Sequence, residues 1–239
     1  MSINWTFRTQ RRAVVAAAVA AVSVTLGFTT GSDNASVVEE TYALPVAACT
    51  NPGADDGSFA LNGTKLPAGG LTYKTNQSTF PAGLSKIEVQ GAIGTAFLTW
   101  DADTSKALFT NGGTTVATPG LADGVNTVAF KKIKGSAIAV TTGWFDRKTK
   151  LLKEFDVALS SSYSWATNPL ATGDCGGAAG RFDIRNVMTH EAGHAAGLSD
   201  VTSTTSKAQT MFAYVAYGEL TKRSLADGDA QAVDILYGQ

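Results

Sequence analysis

The feature that most constrains this chain is the stretch VMTHEAGHAAGLSD at 187–200. It holds both histidines of the 239-residue sequence, His190 and His194, and Glu191 directly follows the first. Side chains four residues apart lie on one face of a helix, so the two imidazoles can bind a single ion. Zinc is the ion expected for two imidazoles and one oxygen ligand. The spacing therefore predicts a zinc-binding helix; the alternative is an ordinary helix that holds two histidines by chance.

The residue between the histidines gives this pattern a chemical use. Glu191 would lie beside the ion and could take a proton from a zinc-bound water, whose pKa the metal lowers to near neutrality. The activated water attacks a carbonyl group, and Glu191 then passes the proton to the leaving amine. The motif therefore predicts peptide-bond hydrolysis with Glu191 as the general base.

A glycine and an aspartate follow the second histidine. Gly197 lets the helix end in a left-handed turn, after which the chain can swing back toward the metal. Asp200 is then in a position to supply the third ligand.

Hydrophobic periodicity predicts the other elements. Helical spacing places the apolar residues of 89–100 on one face, with Pro81 in the first turn. Asp183 is predicted to cap the helix that carries the histidines. A last helix is predicted near the C-terminus, with Ser224 and Asp227 as its capping box. Short alternating stretches predict strands at 71–75, 107–110, 126–133, 137–145 and 153–160.

The N-terminus indicates export. Three arginines at positions 8, 11 and 12 precede the uncharged stretch 13–28, which is typical of a signal peptide over 1–35. An uncleaved membrane anchor is the alternative. Residues 36–69 show no sustained period and are interpreted as a linker or a short pro-segment. The catalytic domain is expected to span 70–239.

Composition excludes some partners and favours others. The formal net charge of −1 gives no electrostatic reason for binding nucleic acid or an acidic lipid surface. Together with the predicted signal at 1–35, this indicates a protein that is secreted and free of the membrane after signal cleavage. The chain has two cysteines, and an even count in an exported protein predicts a Cys49–Cys175 disulfide. That bond would tie down the long loop predicted at 161–181.

At this point the chain resembles a known family. HEAGHAAGLSD resembles the metzincin signature with Asp in place of the usual third His, a variant familiar among snapalysin-like bacterial enzymes. TMFAY at 210–214 resembles the Met-turn, and 218–238 resembles the last helix of matrixins and their bacterial relatives. Softer similarity to matrixin sheet segments is found in LTYKT, AIAVTTGWFD and FDVALSSSYSW.

The resemblance implies a mixed α/β (α+β) domain of metzincin, zincin-like fold. A twisted mixed β-sheet and three helices are expected, with the active-site helix followed by the Met-turn and the C-terminal helix. By position, His190, His194 and Asp200 would bind one catalytic Zn²⁺. Glu191 would be the catalytic base, and Met211 would lie beneath the metal.

Some positions depart from the family pattern. Matrixins usually have His at position 200, and a carboxylate there donates more negative charge to the zinc. Ala213 stands where astacin-like enzymes place a metal-facing Tyr, so Tyr214 is interpreted as a packed aromatic residue. The wall from Tyr214 to Tyr217 is a candidate substrate pocket. No histidine is left for the second, structural zinc of many matrixins, and no pattern marks a structural Ca²⁺ site.

Two assignments have rivals. Glu219 is the alternative third ligand, because other zinc proteases take a downstream Glu; Gly197 and Met211 favour Asp200. Cys49 could instead be a latency thiolate that caps the zinc, as in matrixin pro-segments. Its surroundings, AACTNPG, do not match the Pro-Arg-Cys-Gly pattern of that switch.

These observations predict a monomeric, secreted zinc-dependent endopeptidase that acts on protein or peptide substrates. An extended substrate would add to the edge strand predicted at 137–145. The competing hypothesis is a non-catalytic, zinc-stabilised secreted or cell-surface binding module. Glu191 argues against it, because a purely structural site has no use for a base.

Overall fold

The computed structural model describes residues 37–102, 104–168, 173 and 175–238. The predicted export signal, or anchor, at 1–35 lies outside these residues. The helices are α1 (Lys86–Asp101), α2 (Ile184–Ala195) and α3 (Asp227–Tyr237). The strands are β1 (Val37–Leu44), β2 (Val46–Ala47), β3 (Leu71–Thr75), β4 (Phe109–Thr114), β5 (Asn126–Lys131), β6 (Ala139–Asp146), β7 (Leu152–Ser160), β8 (Trp165–Ala166), β9 (Phe182–Asp183) and β10 (Val215–Ala216).

The main sheet has six strands in the order β1-β6-β7-β5-β3-β4. Strands β7, β5, β3 and β4 run parallel to one another, whereas β6 is antiparallel to β7 and β1 is antiparallel to β6. All five strands predicted from alternation are present in this sheet, with ends shifted by a few residues. The sheet is therefore mixed, as expected.

Five strands were not predicted, and two of them, β1 and β2, lie in the segment interpreted as a linker or pro-segment. The sequence pattern predicts no element at 36–57, yet β1 forms the outer strand beside β6, and β2 pairs in parallel with β10. The partner of Val37 is Asp146, more than a hundred residues away. A local pattern cannot reveal such pairing, because the partner edge exists only in the folded chain.

Helix α1 packs against α2 through the predicted apolar face. The indole Nε1 of Trp100 donates a hydrogen bond of 2.7 Å to the carbonyl oxygen of Thr189, which joins the two helices inside the core. The predicted place of Pro81 in the first turn is wrong. Pro81 belongs to a preceding turn, and α1 begins at Lys86 after Ser85.

Helix α3 is present as predicted, but the predicted capping box is wrong. The helix begins at Asp227, and the carboxyl group of Asp229 accepts the backbone N–H of Ala226 at 3.2 Å. Ser224 stands before the helix, and its carbonyl oxygen accepts the Thr210 hydroxyl. An acidic residue does close the first turn, two positions later than expected.

A mixed sheet, an active-site helix, a following turn and a C-terminal helix together make the α/β architecture expected from the resemblance. None of the helices in the described part of the chain has the length and hydropathy needed to span a bilayer.

Candidate metal centre

Helix α2 carries three of the predicted site residues. The carboxyl group of Asp183 accepts the N–H of Asn186 at 2.8 Å, so the predicted N-terminal cap is present. His190, Glu191 and His194 are all buried, with at most 3 % of their surface exposed. The helix therefore delivers two imidazoles and a carboxyl group to the interior.

The turn after α2 brings the aspartate back to the histidines. Gly197 has a φ of 103°, and the N–H of Leu198 bonds the carbonyl oxygen of Gly193 at 3.0 Å. The predicted left-handed turn is thus confirmed. A Cβ at Gly197 would also lie 2.5 Å from the carbonyl oxygen of Thr64, so a larger residue would not fit. Beyond this turn the chain reaches Asp200.

His190, His194 and Asp200 form one cluster. Asp200 Oδ1 lies 3.2 Å from His190 Nε2 and 3.6 Å from His194 Nε2. A tetrahedral ion with bonds of about 2 Å has ligand atoms about 3.3 Å apart, so the observed spacing suits zinc. Among the described residues, this is the one group of three or more His, Cys, Asp or Glu side chains close enough to hold a metal.

Hydrogen bonds on the far side of each ring fix its orientation. His190 Nδ1 lies 2.7 Å from the carbonyl oxygen of Thr210, and His194 Nδ1 lies 3.0 Å from that of Leu198. A carbonyl oxygen only accepts, so in each neutral ring Nδ1 carries the hydrogen and Nε2 keeps its lone pair. This arrangement is typical of metal-binding histidines.

Two buried polar atoms of the cluster lack hydrogen-bond partners, and this bears on whether the cluster can hold a cation. The buried atoms His190 Nε2 and Asp200 Oδ1 have no hydrogen-bond partner within the described chain. Unpaired buried polar atoms are costly, and a metal ion held at this point would satisfy both. The donor set therefore fits zinc.

The same burial shifts the titration of the cluster. Desolvation lowers the pKa of the His194 ring to about 4. Burial alone would oppose charge on Asp200, but the two nearby histidines hold the pKa of its carboxyl group below its usual range. Burial also acts to lower the pKa of His190, but the Asp200 carboxylate outweighs it and raises that pKa. Asp200 and His194 are therefore in the ionisation states that bind a cation, and a bound cation would displace a proton from His190.

Glu191 points toward β6 with its two oxygens in different environments. Oε2 accepts the hydroxyl of Thr141, on β6, at 2.5 Å. Oε1 is buried and has no hydrogen-bond partner among the described residues. Burial raises the pKa of this carboxyl group to about 7. One oxygen is therefore held in place and the other is free to exchange a proton.

Met211 lies directly under the histidine helix. Its side chain is fully buried, and its sulfur is the nearest atom to the point where a Cβ on Gly193 would stand. The carbonyl oxygen of Met211 accepts the N–H of Val201 at 2.8 Å, which joins this turn to the segment that carries Asp200. Met211 therefore packs against the helix that carries both histidines.

Two buried charged residues bind the backbone of the turn at 210–212. Neither of them was identified from the sequence. Asp229 accepts the N–H groups of Thr210 and Met211. Lys222 is fully buried, and its Nζ donates to the carbonyl oxygen of Phe212 at 2.9 Å. No local signal marks either role, because each depends on backbone groups contributed by a different segment.

Glu219, the rival third ligand, lies elsewhere. Its carboxyl group accepts the N–H of Ala216 at 2.9 Å and lies 3.6 Å from Lys222 Nζ. It is not part of the cluster formed by the histidines and Asp200.

The two tyrosines predicted as pocket residues have different surroundings. Tyr214 lines a cavity of about 500 Å³ beside Phe212, whose ring centroid lies 5.6 Å from its own. Tyr217 stacks on Phe182 with centroids 4.2 Å apart and borders a separate, smaller cavity. Tyr214 therefore faces the larger space after the Met-turn, and Tyr217 does not.

The two cysteines are joined in the structure, with their Cα atoms 5.8 Å apart. The sulfur of Cys49 is therefore not a free thiolate. The bond ties the segment that follows β2 to the loop between β8 and β9.

Comparison with known proteins agrees with this geometry. The sequence model of the peptidase family described as Matrixin matches residues 65–238, nearly three quarters of the chain. No curated protein matches the sequence. The matched range includes the cluster, Glu191 and the turn at Met211. On this evidence the chain belongs to the matrixin family of zinc-dependent metalloproteases.

Proposed function

We propose that this protein is a secreted zinc-dependent endopeptidase. His190, His194 and Asp200 bind the catalytic zinc, and Glu191 is the general base. One observation supports this most directly. His190 Nε2 and Asp200 Oδ1 are buried without a hydrogen-bond partner in one group of three potential ligands, and Glu191, beside His190, also has an unpaired oxygen, Oε1. A structural zinc site would need the ligands but would have no use for Glu191.

Each side chain has a defined task in this proposal. Bound zinc would polarise the substrate carbonyl and make the attacking water more acidic. Glu191 receives the proton of that water at Oε1 and donates it to the leaving nitrogen, while Thr141 holds Oε2. The carbonyl groups of Thr210 and Leu198 keep the two imidazoles in the binding tautomer throughout.

The substrate is proposed to be an extended peptide. Strand β6 lies next to Glu191, and β10, in the wall from Tyr214 to Tyr217, lies across from it. The predicted edge strand at 137–145 is not an edge in the structure, because β1 covers β6 and β2 pairs with β10. An extended peptide would therefore add its backbone to these strands in place of residues 37–47. We assign the residue after the cleaved bond to the 500 Å³ cavity at Tyr214, which lies beyond the metal ligands and is walled on its other side by residues 47–52.

Export and domain limits are part of the proposal. A disulfide is typical of proteins that fold in an oxidising compartment, which supports secretion after removal of the predicted signal at 1–35. We assign the catalytic domain to 70–239, and the family match begins five residues earlier. The protein is expected to act as a monomer.

The test is hydrolysis of a broad peptide library and of casein. Residues 37–47 occupy the proposed cleft in the structure, so two preparations are needed. One is the intact chain, and the other is a chain folded first and then cut at a site for a specific protease inserted between Ala48 and Cys49. A chelator should abolish hydrolysis, and zinc should restore it.

Two variants separate catalysis from metal binding. Glu191→Ala should keep one zinc per chain and lose nearly all hydrolysis, whereas Glu88→Ala, at an exposed position on α1, should leave both unchanged. If both preparations bind zinc but cleave no peptide, the enzyme hypothesis fails and a zinc-stabilised binding module becomes the better description.

A further inference from the structure

Lys222 carries a buried amine that the proposed mechanism does not use. The residue is fully buried. Its Nζ donates to the carbonyl oxygens of Phe212 at 2.9 Å and Gln209 at 3.4 Å, and it lies 3.6 Å from the carboxyl group of Glu219. Three acceptors around one amine suit an ammonium group, which has three N–H donors and no acceptor. The contacts therefore indicate that Lys222 is positively charged in the folded protein.

The surroundings of Lys222 stabilise this charge against burial. Burial lowers the pKa of the amine, and the carboxyl groups of Glu219, Asp229 and Asp200 oppose that effect. The ring of Phe212 lies 5.4 Å from Nζ and adds a cation–π contact. A charged lysine is rarely buried unless it is paired in this way.

One turn separates Lys222 from the proposed zinc ligands. The carbonyl oxygens of Gln209 and Phe212 bond Lys222. The carbonyl oxygen of Thr210, between those two residues, lies 2.7 Å from His190 Nδ1. Lys222, Thr210 and His190 are fully buried, so little water can screen a charge across this turn.

The charge of Lys222 acts on the cluster on the other side of the turn. Burial has the largest effect on the pKa of His190 and on that of the Asp200 carboxyl group, but Lys222 also acts on both, toward a lower pKa. A positive charge nearby has this effect, because it disfavours a protonated ring and favours an ionised carboxylate. A divalent ion held by the same side chains would be repelled by the same charge.

We propose that Lys222 offsets the negative charge that the Asp200 carboxylate brings to the metal site, so that the site holds zinc less tightly but stabilises negative charge on the substrate better. Three neutral histidines would leave the ion its full double charge, whereas a carboxylate ligand cancels one unit of it. A preorganised cation nearby also favours the negative charge that develops on the substrate carbonyl oxygen in the transition state. This inference rests on the proposed function, because it concerns the same zinc site.

Zinc affinity separates this role from a purely structural one, because the two predict changes of opposite sign. Lys222→Met keeps an apolar stem and removes the charge, so zinc should bind about threefold more tightly, or better, in competition with a chelator. A residue that only held the turn would weaken zinc binding when replaced, because His190 would lose its orientation. Weaker or unchanged affinity in folded Lys222→Met protein would overturn the inference.

The matched control is Lys86→Met. Lys86 is exposed at the start of α1, where solvent and salt screen its charge. This variant loses the same charge and should keep the zinc affinity of the unaltered protein. An equal gain in affinity in the control would show that net charge, and not the buried position of Lys222, is the cause, which contradicts the inference.

Other substitutions of Lys222 cover the case in which Lys222→Met does not fold. Lys222→Gln also removes the charge, but its amide group can still donate to the carbonyl oxygens of the turn. It should bind zinc more tightly than the unaltered protein, and weaker or unchanged affinity would count against the inference. Lys222→Arg keeps the charge, so a gain in affinity there would show that the charge is not the cause.

Activity provides a second readout, in the preparation that is cut between Ala48 and Cys49. In zinc-loaded Lys222→Met protein, kcat for a library peptide should fall about three- to tenfold while KM changes little, because the lost interaction is made mainly in the transition state. Unchanged kcat would overturn the inference. If the unaltered protein hydrolyses no peptide, the proposed function is wrong, and the zinc measurements still decide whether the charge of Lys222 acts on the metal site.

Discussion

Asp229 and His190 are connected through one residue, Thr210, in the turn beneath the histidine helix. The carboxyl group of Asp229 accepts the N–H of Thr210 at 2.5 Å, and the carbonyl oxygen of Thr210 accepts Nδ1–H of His190 at 2.7 Å. The same carboxyl group also bonds Met211 and Ala226. A buried side chain on α3 therefore sets the orientation of a proposed ligand on α2 that it does not touch.

Asp229→Asn should weaken zinc binding as well as folding. The amide keeps one acceptor oxygen and replaces the other with an NH₂ group, which faces N–H donors and cannot accept from them. We expect a loss of about 1–3 kcal/mol in the free energy of unfolding. Zinc affinity, measured by competition with a chelator, should fall about tenfold, as for other residues that orient a ligand. Asp234→Asn, exposed on the same helix, is the control. Unchanged zinc affinity in a destabilised Asp229→Asn protein would limit Asp229 to a structural role.

Gly193→Ala should destabilise the protein even though alanine favours helices. A Cβ at this position would lie less than 3.0 Å from both the Met211 sulfur and the Trp100 ring, so the helix or the turn must move. Such overpacking should lower the free energy of unfolding by about 1–3 kcal/mol.

The matched control is Gly91→Ala in α1, where a Cβ meets no atom within 4 Å. Helix propensity alone should then raise the free energy of unfolding by up to about 1 kcal/mol. Chemical denaturation of both variants measures the contrast. If Gly193→Ala and Gly91→Ala raise the free energy of unfolding by the same amount, Met211 does not pack against the helix as described.

Local patterns were sufficient to predict the elements around the site. The alternation in 153–160 and the four-residue spacing of His190 and His194 both depend on residues close in sequence, and both elements are present. The left-handed turn at Gly197 could also be predicted, because it depends on the backbone freedom of that one residue. The cap of α3 was misplaced because Asp227 and Asp229 have the same residue type, and tertiary contacts decide which carboxyl group turns inward.

The remaining parts depend on contacts between distant segments. β1 requires the edge of β6, and no feature of residues 37–44 alone reveals that edge. Lys222 is an equally clear case, since lysine is rarely buried. It is buried here because Glu219 and the carbonyl oxygen of Phe212 meet its Nζ.

The choice of third ligand can be measured directly. Asp200→Ala removes the only carboxylate in the cluster, so zinc affinity should fall by at least tenfold. Glu219→Ala removes a partner of buried Lys222 and should lower stability, but zinc affinity should stay within a few-fold of that of the unaltered protein. Competition with a chelator on the folded variants checks both. The reverse pattern would assign the third ligand to Glu219.

A buried carboxyl group that is not one of the proposed zinc ligands should make stability depend on pH. Asp156, on β7, is buried and accepts the N–H groups of Gly120, Leu121 and Thr127. Burial raises the pKa of its carboxyl group from 3.8 to about 6, despite the opposing effect of these hydrogen bonds. Between about pH 4 and 6 the folded state therefore holds a proton that the unfolded chain has released. The contribution of Asp156 to the free energy of unfolding is fully present below about pH 4 and is lost as the pH rises through 6.

Comparison with Asp156→Asn isolates this group from the other titrating residues. The difference in the free energy of unfolding between the unaltered protein and the variant should favour the unaltered protein more at pH 4.5 than at pH 7. A carboxyl ¹³C titration of the folded protein should give Asp156 a midpoint near 6. A midpoint at or below 4 would mean that the three N–H donors outweigh burial, and stability would then fall with acid instead of rising.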